Sequence, residues 1–275
     1  MPPWSLSSAE GCVYSEFGMN LEILSPVIVS LSALVLIILE RRFPYTAGQP
    51  LFREGFWTDL AMYTIFQSYI LSWVIFGFIH WLDNETSVSR FHIISDWPVW
   101  GQFLLFFVSH DLYIYLFHRW QHHNKYLYRI HEAHHSVRDV DWLAGARSHS
   151  LEILINQSIE FTPIILLGAA PEVVLLKGIV DAVWGMYIHS NIDVHSGRLQ
   201  FFFNGPEMHR WHHAKGKGNS VNYSTKLAVW DWLFGTGFLP SIERPVSYGL
   251  TYSGFPKGYF PQQWFAFRPF RKEKN

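Results

Sequence analysis

Leu21 to Leu39 is a run of nineteen residues with a single charge, Glu22, at its edge. A run of that length is enough for a helix to cross the hydrocarbon core of a bilayer. Glu40, Arg41 and Arg42 close it, and Pro44 ends the helix. Two further apolar runs follow, 60–80 and 98–117, the second containing His110 and Asp111. A fourth, 153–188, is broken by Pro163 and by Gly168-Ala169-Ala170-Pro171. It predicts two short helices meeting at the break, as a tight hairpin or a re-entrant pair. The expected fold is therefore an all-α integral membrane protein of one domain, 1–275. It has about four transmembrane helices, or three plus a broken helix pair. A histidine-rich helical cap and tail, 118–150 and 189–275, lie on the cytosolic side.

Charge sets the orientation. The segment before the first run has no Lys or Arg, whereas the next loop holds Arg41, Arg42 and Arg53. The loop after the second run has only Arg90 against Asp83, Glu85 and Asp96, and the stretch after the third holds Arg119, Lys125, Arg129 and Arg138. The excess of basic residues on cytoplasmic loops places the N-terminus outside and 118–150 inside. Arg198, Arg210, Lys215, Lys217 and Lys226 return to the same side if 153–188 is a hairpin. Composition agrees: 16% of the residues are charged and 18% are aromatic, against about 25% charged in soluble domains. The net charge of -1 argues against a nucleic-acid partner. A lone cysteine, Cys12, excludes an intrachain disulfide and thiolate-only metal or cluster sites. The N-terminus lacks the basic region of a signal peptide, with Glu10 and Glu16 ahead of the first apolar run. The last forty residues, rich in Pro, Gly and aromatics and ending basic at Arg271-Lys272, predict a tail lying along the membrane surface.

Of fifteen histidines, eight fall in three clusters: His118-x3-His122, His131-x2-His134-His135 and His209-x2-His212-His213. On a helix, positions three and four apart share a face, so each cluster can aim two or three imidazoles at one point. At this histidine content one HxxHH arises by chance in roughly 5% of chains, and two in about one in a thousand. Neutral imidazole suits zinc, copper, iron and nickel. One tetrahedral zinc takes about four protein ligands, so two metals are the economical reading. His189, ending the broken pair, is a further candidate ligand, and so is His195 six residues on.

Other polar residues have other expected roles. His110, eight residues before His118, is too far along the helix to share its metal and is expected to line a cavity. Asp111 lies on the face of His118 and His122 and is read as accepting the other ring N–H of a ligand histidine. Arg147 and His149 could serve similarly. His80 and His92 map to the outer face, and His123 points away from His122. Asp231 is expected to cap a backbone or orient a histidine. Arg119 and Arg210 are expected to pair with Asp111, Glu207 or Asp231, or to meet lipid phosphates. Phe103, Phe106, Phe107, Tyr113, Tyr115 and Trp184 could line a substrate slot, although each singly reads more naturally as lipid-facing.

His118-Arg119-Trp120-Gln121-His122 and Leu127 to Ser136, together with His189-Ser190-Asn191-Ile192, Pro206 to His213, Asn222-Tyr223 and Trp230 to Thr236, resemble the fatty acid hydroxylase superfamily. That superfamily includes sterol desaturases and alkylglycerol monooxygenases. The resemblance covers 111–236. It implies a four-helix membrane base, a cytosolic histidine-rich cap, two iron ions, and hydroxylation or desaturation of a lipid with O2 and two electrons. Glu132 stands where some members have a basic residue. No cytochrome b5-like domain is present in the sequence, so electrons are expected from a separate donor protein. A sterol, fatty acyl or ether lipid is the expected substrate, and a bacterial inner membrane the expected location.

Two rival readings stay open at this point. His131-Glu132-x2-His135 fits the HExxH pattern of zinc hydrolases, with Glu132 as general base. Intramembrane Asp and His residues also mark ion pathways in transporters, although most of these histidines lie outside the apolar runs.

Overall fold

The computed structural model describes residues 16–217, 220–240 and 243–270. Cys12, Glu10 and the basic end Arg271-Lys272 lie outside them. The described residues are helical, joined by loops and two isolated bridges, Pro44–Ile192 and Ala214–Tyr248. In chain order the helices are α1 (Glu16–Arg42), α2 (Phe56–Thr86), α3 (Val99–His123), α4 (Lys125–His135), α5 (Ser150–Leu166), α6 (Pro171–His189), α7 (Pro206–His213), α8 (Val229–Leu233) and α9 (Tyr259–Phe265).

Three of them, α1 over Ile23–Arg42, α2 and α3, are long and apolar enough to cross a membrane. Their outward faces stay uncovered: Ile23, Leu31, Ile38, Ile65 and Tyr69 are all more than half exposed. A continuous apolar face of that extent suits lipid rather than water. The helices outrun the apolar runs that announce them. The run 60–80 belongs to a helix spanning 56–86, and the run 98–117 continues to His123. The apolar window marks only the stretch without charge, whereas the helix carries on through polar residues that find partners. Asp59, fully buried at the start of α2, accepts from Arg53 at 2.7 Å and twice from Arg147 at 2.7 and 2.9 Å. Around it, Asp59–Gln67 is wound as a π-helix.

The segment 153–188 is a hairpin whose arms start at Ser150 and end at His189. His149 caps α5 by accepting from the Leu151 N–H at 3.0 Å, and Pro171 opens α6 at a position whose N–H needs no helical partner. The turn lies beside the α2–α3 loop, because Leu167 C=O accepts from Ile94 N–H, Gly168 C=O from Ser95 Oγ, and the Ala170 N–H donates to Gln102. Gly168 has φ +73° and a Cβ there would sit 3.0 Å from Ser95 Oγ, so conformation and space both call for glycine. Ile94, Phe106, Ile164 and Val173 fill this end of the bundle.

α1 packs along α6, α2 along α5, and α3 against both arms of the hairpin. At the opposite end Glu40 accepts the N–H groups of Trp142 and Asn191 at 2.7 and 2.8 Å. The C-terminal α9 docks there too. Tyr63 donates to Gln262 at 2.6 Å, Tyr259 to Gln67 at 2.9 Å, and His149 Nε2 to the Gln263 carbonyl at 2.9 Å. Phe260, Trp264 and Phe267 of this tail remain exposed, as aromatic residues do at a membrane–water boundary.

Candidate metal centre

α3 ends in His118 and His122, α4 ends in His131, His134 and His135, α6 ends in His189, and α7 carries His209, His212 and His213. Four helix ends thus meet at one place. α4 starts one residue after α3 because Asn124 breaks the helix in an extended conformation (φ -122°). Its side chain then caps the new helix by accepting from the Tyr126 and Leu127 N–H groups at 2.9 and 3.2 Å.

The nine imidazoles sort into two groups. His118, His122, His131, His135 and His212 form one, and His134, His189, His209 and His213 the other, with the ligating nitrogens of each group within 4.8 Å of one another. Each HxxHH motif divides between the groups instead of serving one point. The residues four apart, His131 with His135 and His209 with His213, go to one group, and the residue three along, His134 or His212, goes to the other. Positions i and i+4 lie nearly above one another on a helix, while i+3 is displaced around it. α4 and α7 therefore each serve both groups.

The hydrogen bonds fix where the lone pairs point. Nδ1 of His134 faces the Arg147 carbonyl at 3.3 Å and Nδ1 of His189 the Gly185 carbonyl at 2.7 Å. A carbonyl only accepts, so each Nδ1 carries the hydrogen, and each neutral ring presents a lone pair at Nε2. Those two Nε2 atoms face each other at 3.3 Å. In the other group, Nδ1 of His118 donates to the Tyr223 carbonyl at 2.7 Å, of His212 to the Val221 carbonyl at 3.0 Å, and of His131 to Glu152 at 2.8 Å. Their Nε2 atoms meet neighbouring Nε2 atoms at 3.0 Å (His118–His131) and 3.1 Å (His212–His135). In the His134–His189 and His118–His131 pairs both rings are fixed from behind, and two lone pairs at that distance repel unless a cation lies between them. Burial holds His131, His134, His135, His209, His212 and His213 neutral, well below the usual histidine range, and the neighbouring imidazoles add to this. An all-nitrogen, uncharged, converging set of donors fits a divalent transition metal in each group.

The remaining expected residues fall elsewhere. His195 stands outside both groups, exposed at the surface between Asp193, Glu207 and Arg244. Six residues beyond His189 the chain has already left the helix ends. Asp111 is fully buried but meets no histidine; it accepts from Thr225 Oγ1, the Lys226 and Leu227 N–H groups and Trp230 Nε1 at 2.9–3.1 Å. The loop 225–230 covers the face that Asp111 shares with His118, so its carboxylate anchors that loop. Asp231 caps backbone, accepting from the Tyr223 and Ser224 N–H groups at 2.8 and 2.9 Å, and so holds the carbonyl that receives His118. Arg210 donates to the Ser190 and Ile192 carbonyls and Arg119 to Tyr115 Oη, so neither takes a carboxylate. Arg147 reaches the site through its own carbonyl. Glu132 turns to Arg129 at 3.2 Å, so the carboxylate that the HExxH reading needs as its general base is held in an ion pair. Glu152, by contrast, is the carboxylate that orients a histidine. It stands one residue before the fourth apolar run, and a charge at that rim was the available signal. The carbonyls of Tyr223, Val221, Gly185 and Arg147 have no signature in sequence.

Below the histidines opens a cavity of about 240 Å³, lined by His110, Trp184 and Ile188 together with His118, His131 and His189. Of the aromatic residues considered for a slot, Trp184 lines it, while Phe106 and Tyr115 are buried in packing.

Residues 103–236 match the fatty acid hydroxylase family model. These residues are therefore a domain of the fatty acid hydroxylase superfamily. Within it, the chain is 36% identical over 170 residues to the ornithine lipid hydroxylase OlsE of Rhizobium tropici, covering 61% of this chain and 51% of that protein. It is 30% identical over 195 residues to alkylglycerol monooxygenase of Danio rerio, covering 65% and 41%. It is 32% identical over 161 residues to methylsterol monooxygenase 1 of Rattus norvegicus, covering 53% and 52%. The chain therefore spans about half the length of these curated relatives or less. No solved structure matches it. The matched span contains both histidine groups, from His118 to His213.

Proposed function

We propose that this chain is a membrane-embedded oxidoreductase that hydroxylates a lipid with O2 at a pair of iron ions. The observation that carries the reading is the set of opposed Nε2 lone pairs, with the rings locked from behind by carbonyls and Glu152. The relatives named for hydroxylation or monooxygenation of ornithine lipid, alkylglycerol and methylsterol support a lipid as substrate.

In this reading His118, His122, His131, His135 and His212 hold one ion and His134, His189, His209 and His213 the other. Iron bound there supplies the redox change that attack on an unactivated C–H bond requires and that zinc lacks. The chain contributes position and dryness. The backbone carbonyls and Glu152 fix the orientation of five of the nine rings, His118, His131, His134, His189 and His212, so much of the donor set is formed before substrate arrives. The buried site excludes bulk water, and the cavity beneath it orients one C–H bond toward the histidines. Apolar helices let a lipid reach that cavity from the bilayer, avoiding transfer to water at about 0.8 kcal/mol per CH2. The basic loops argue that the histidine side faces the cytosol. Electrons then come from a separate donor protein on that face, and a bacterial inner membrane suits the whole.

The test is a comparative lipidome of cells with and without the protein. A lipid gaining one oxygen in the presence of the wild type, and absent with His131→Ala, is the expected result. Lipid profiles identical in all three strains would end the proposal.

A further inference from the structure

The cavity below the histidines is unusual for a slot that serves an alkyl chain. Its wall includes His110, Glu160, Asp181, Asn156, Gln157 and Lys226. Behind them Lys177, fully buried, donates to Glu160 at 2.6 Å, to Asp181 at 2.6 Å and to His110 Nδ1 at 3.0 Å. The three acceptors use all three ammonium hydrogens. They also put a cation where a metal would otherwise sit among His110, Glu160 and Asp181, so this third cluster is a self-neutralised polar floor. Lys226 adds a second cation, 3.0 Å from Asp181.

Besides Nδ1 of His209, two atoms of this wall have neither a hydrogen-bond nor an ion-pair partner. Lys177 can only donate, so His110 Nδ1 accepts and the ring hydrogen lies on Nε2. That Nε2–H is buried with nothing to receive it, on a side chain 9% exposed. Oε2 of Glu152, on a side chain 7% exposed, is buried and equally without a partner, while its other oxygen is occupied by His131 and Gln121. A free donor and a free acceptor thus border one cavity. Leaving either unpaired against a hydrocarbon costs a buried hydrogen bond. The volume, about 240 Å³, holds roughly eight water-sized groups, a size that suits a head group.

We propose that the part of the lipid brought to the histidines is its polar head, a group carrying both a hydrogen-bond acceptor and a donor, with His110 as a residue that selects it. The acceptor takes the His110 Nε2–H, the donor faces Glu152, and the hydrocarbon tail stays in the bilayer. This deepens the proposed function and rests on a lipid entering this cavity.

The test compares saturable binding of two radiolabelled probes of equal chain length to the purified, metal-loaded protein. One is an N-acyl amino-acid amide, which has N–H and C=O groups in its head, and the other is the matching alkane. Metal content is measured on every sample. The amide should bind at least about tenfold more tightly, the difference a single buried hydrogen bond can make. His110→Leu should erase that preference and His110→Gln, which keeps an N–H donor, should retain most of it, with metal content unchanged in both. Equal binding of the two probes, preference for the alkane, or no saturable binding of either overturns the inference. In the lipidome, an added oxygen placed by fragmentation in the acyl or alkyl chain overturns it while leaving the lipid hydroxylase reading intact, whereas no oxygenated lipid removes that reading itself.

Discussion

At the scale of single residues, the site depends on what stands behind each imidazole. Glu152 accepts from both His131 Nδ1 and Gln121 Nε2. Replacing it with alanine leaves His131 free to rotate, and loss of such a support typically costs about 10–100-fold in metal affinity. Competition with a chelator should show that loss for Glu152→Ala, and wild-type affinity would mean that Glu152 does not aim the ring. His195→Ala should change neither metal affinity nor turnover, since its ring lies at the surface beside Asp193 and Glu207. Eight of the nine histidines that gather were readable from helical spacing, and His189 from its place at the end of the broken pair, but the division of each HxxHH between two groups was not. The pairing of Asp111 was not readable. Sequence places it on the face of His118, but only the folded chain brings residues 225–230 across that face. Backbone carbonyls are invisible to sequence in the same way, as every residue has one.

Among the elements, α4 and α7 are short and each feeds both groups, and of the two only α4 has a side-chain cap at its start. Its amphipathic pattern comes from the same HxxHH that supplies the ligands, and its start depends on Asn124. Losing such a cap costs about 1 kcal/mol. Asn124→Ala should lower the unfolding free energy by about that amount, with Asn124→Asp close to wild type, as read by thermal melting of the purified protein. Equal melting of all three would assign the start of α4 to tertiary packing. The membrane helices were legible as apolar runs, and the hairpin break as Gly168 to Pro171. The start of α2 was not, since it begins at Phe56 through the buried Arg53–Asp59–Arg147 network. A charge near an apolar run looks like a boundary until its partner, many residues away, is known.

On the scale of the whole molecule, α-helices end together to bury nine neutral imidazoles at one end of the bundle. This makes the metal-free protein sensitive to acid. Six of these histidines are held well below the ordinary value of 6.5, chiefly by burial. Below about 6.5 the unfolded chain takes up protons that the folded chain refuses, so stability falls as pH drops and is fully present above that value. Melting of the metal-free protein should therefore decline from about pH 7 to about pH 5. A flat profile would mean the rings are not buried as a neutral set. The central claim, that the rings hold two ions, is tested most directly by counting metal in the purified protein. The account predicts two ions per chain in the wild type, with His131→Ala and His209→Ala each losing an ion. A wild type that binds no transition metal even when it is supplied, or two variants that keep the full complement, would contradict it.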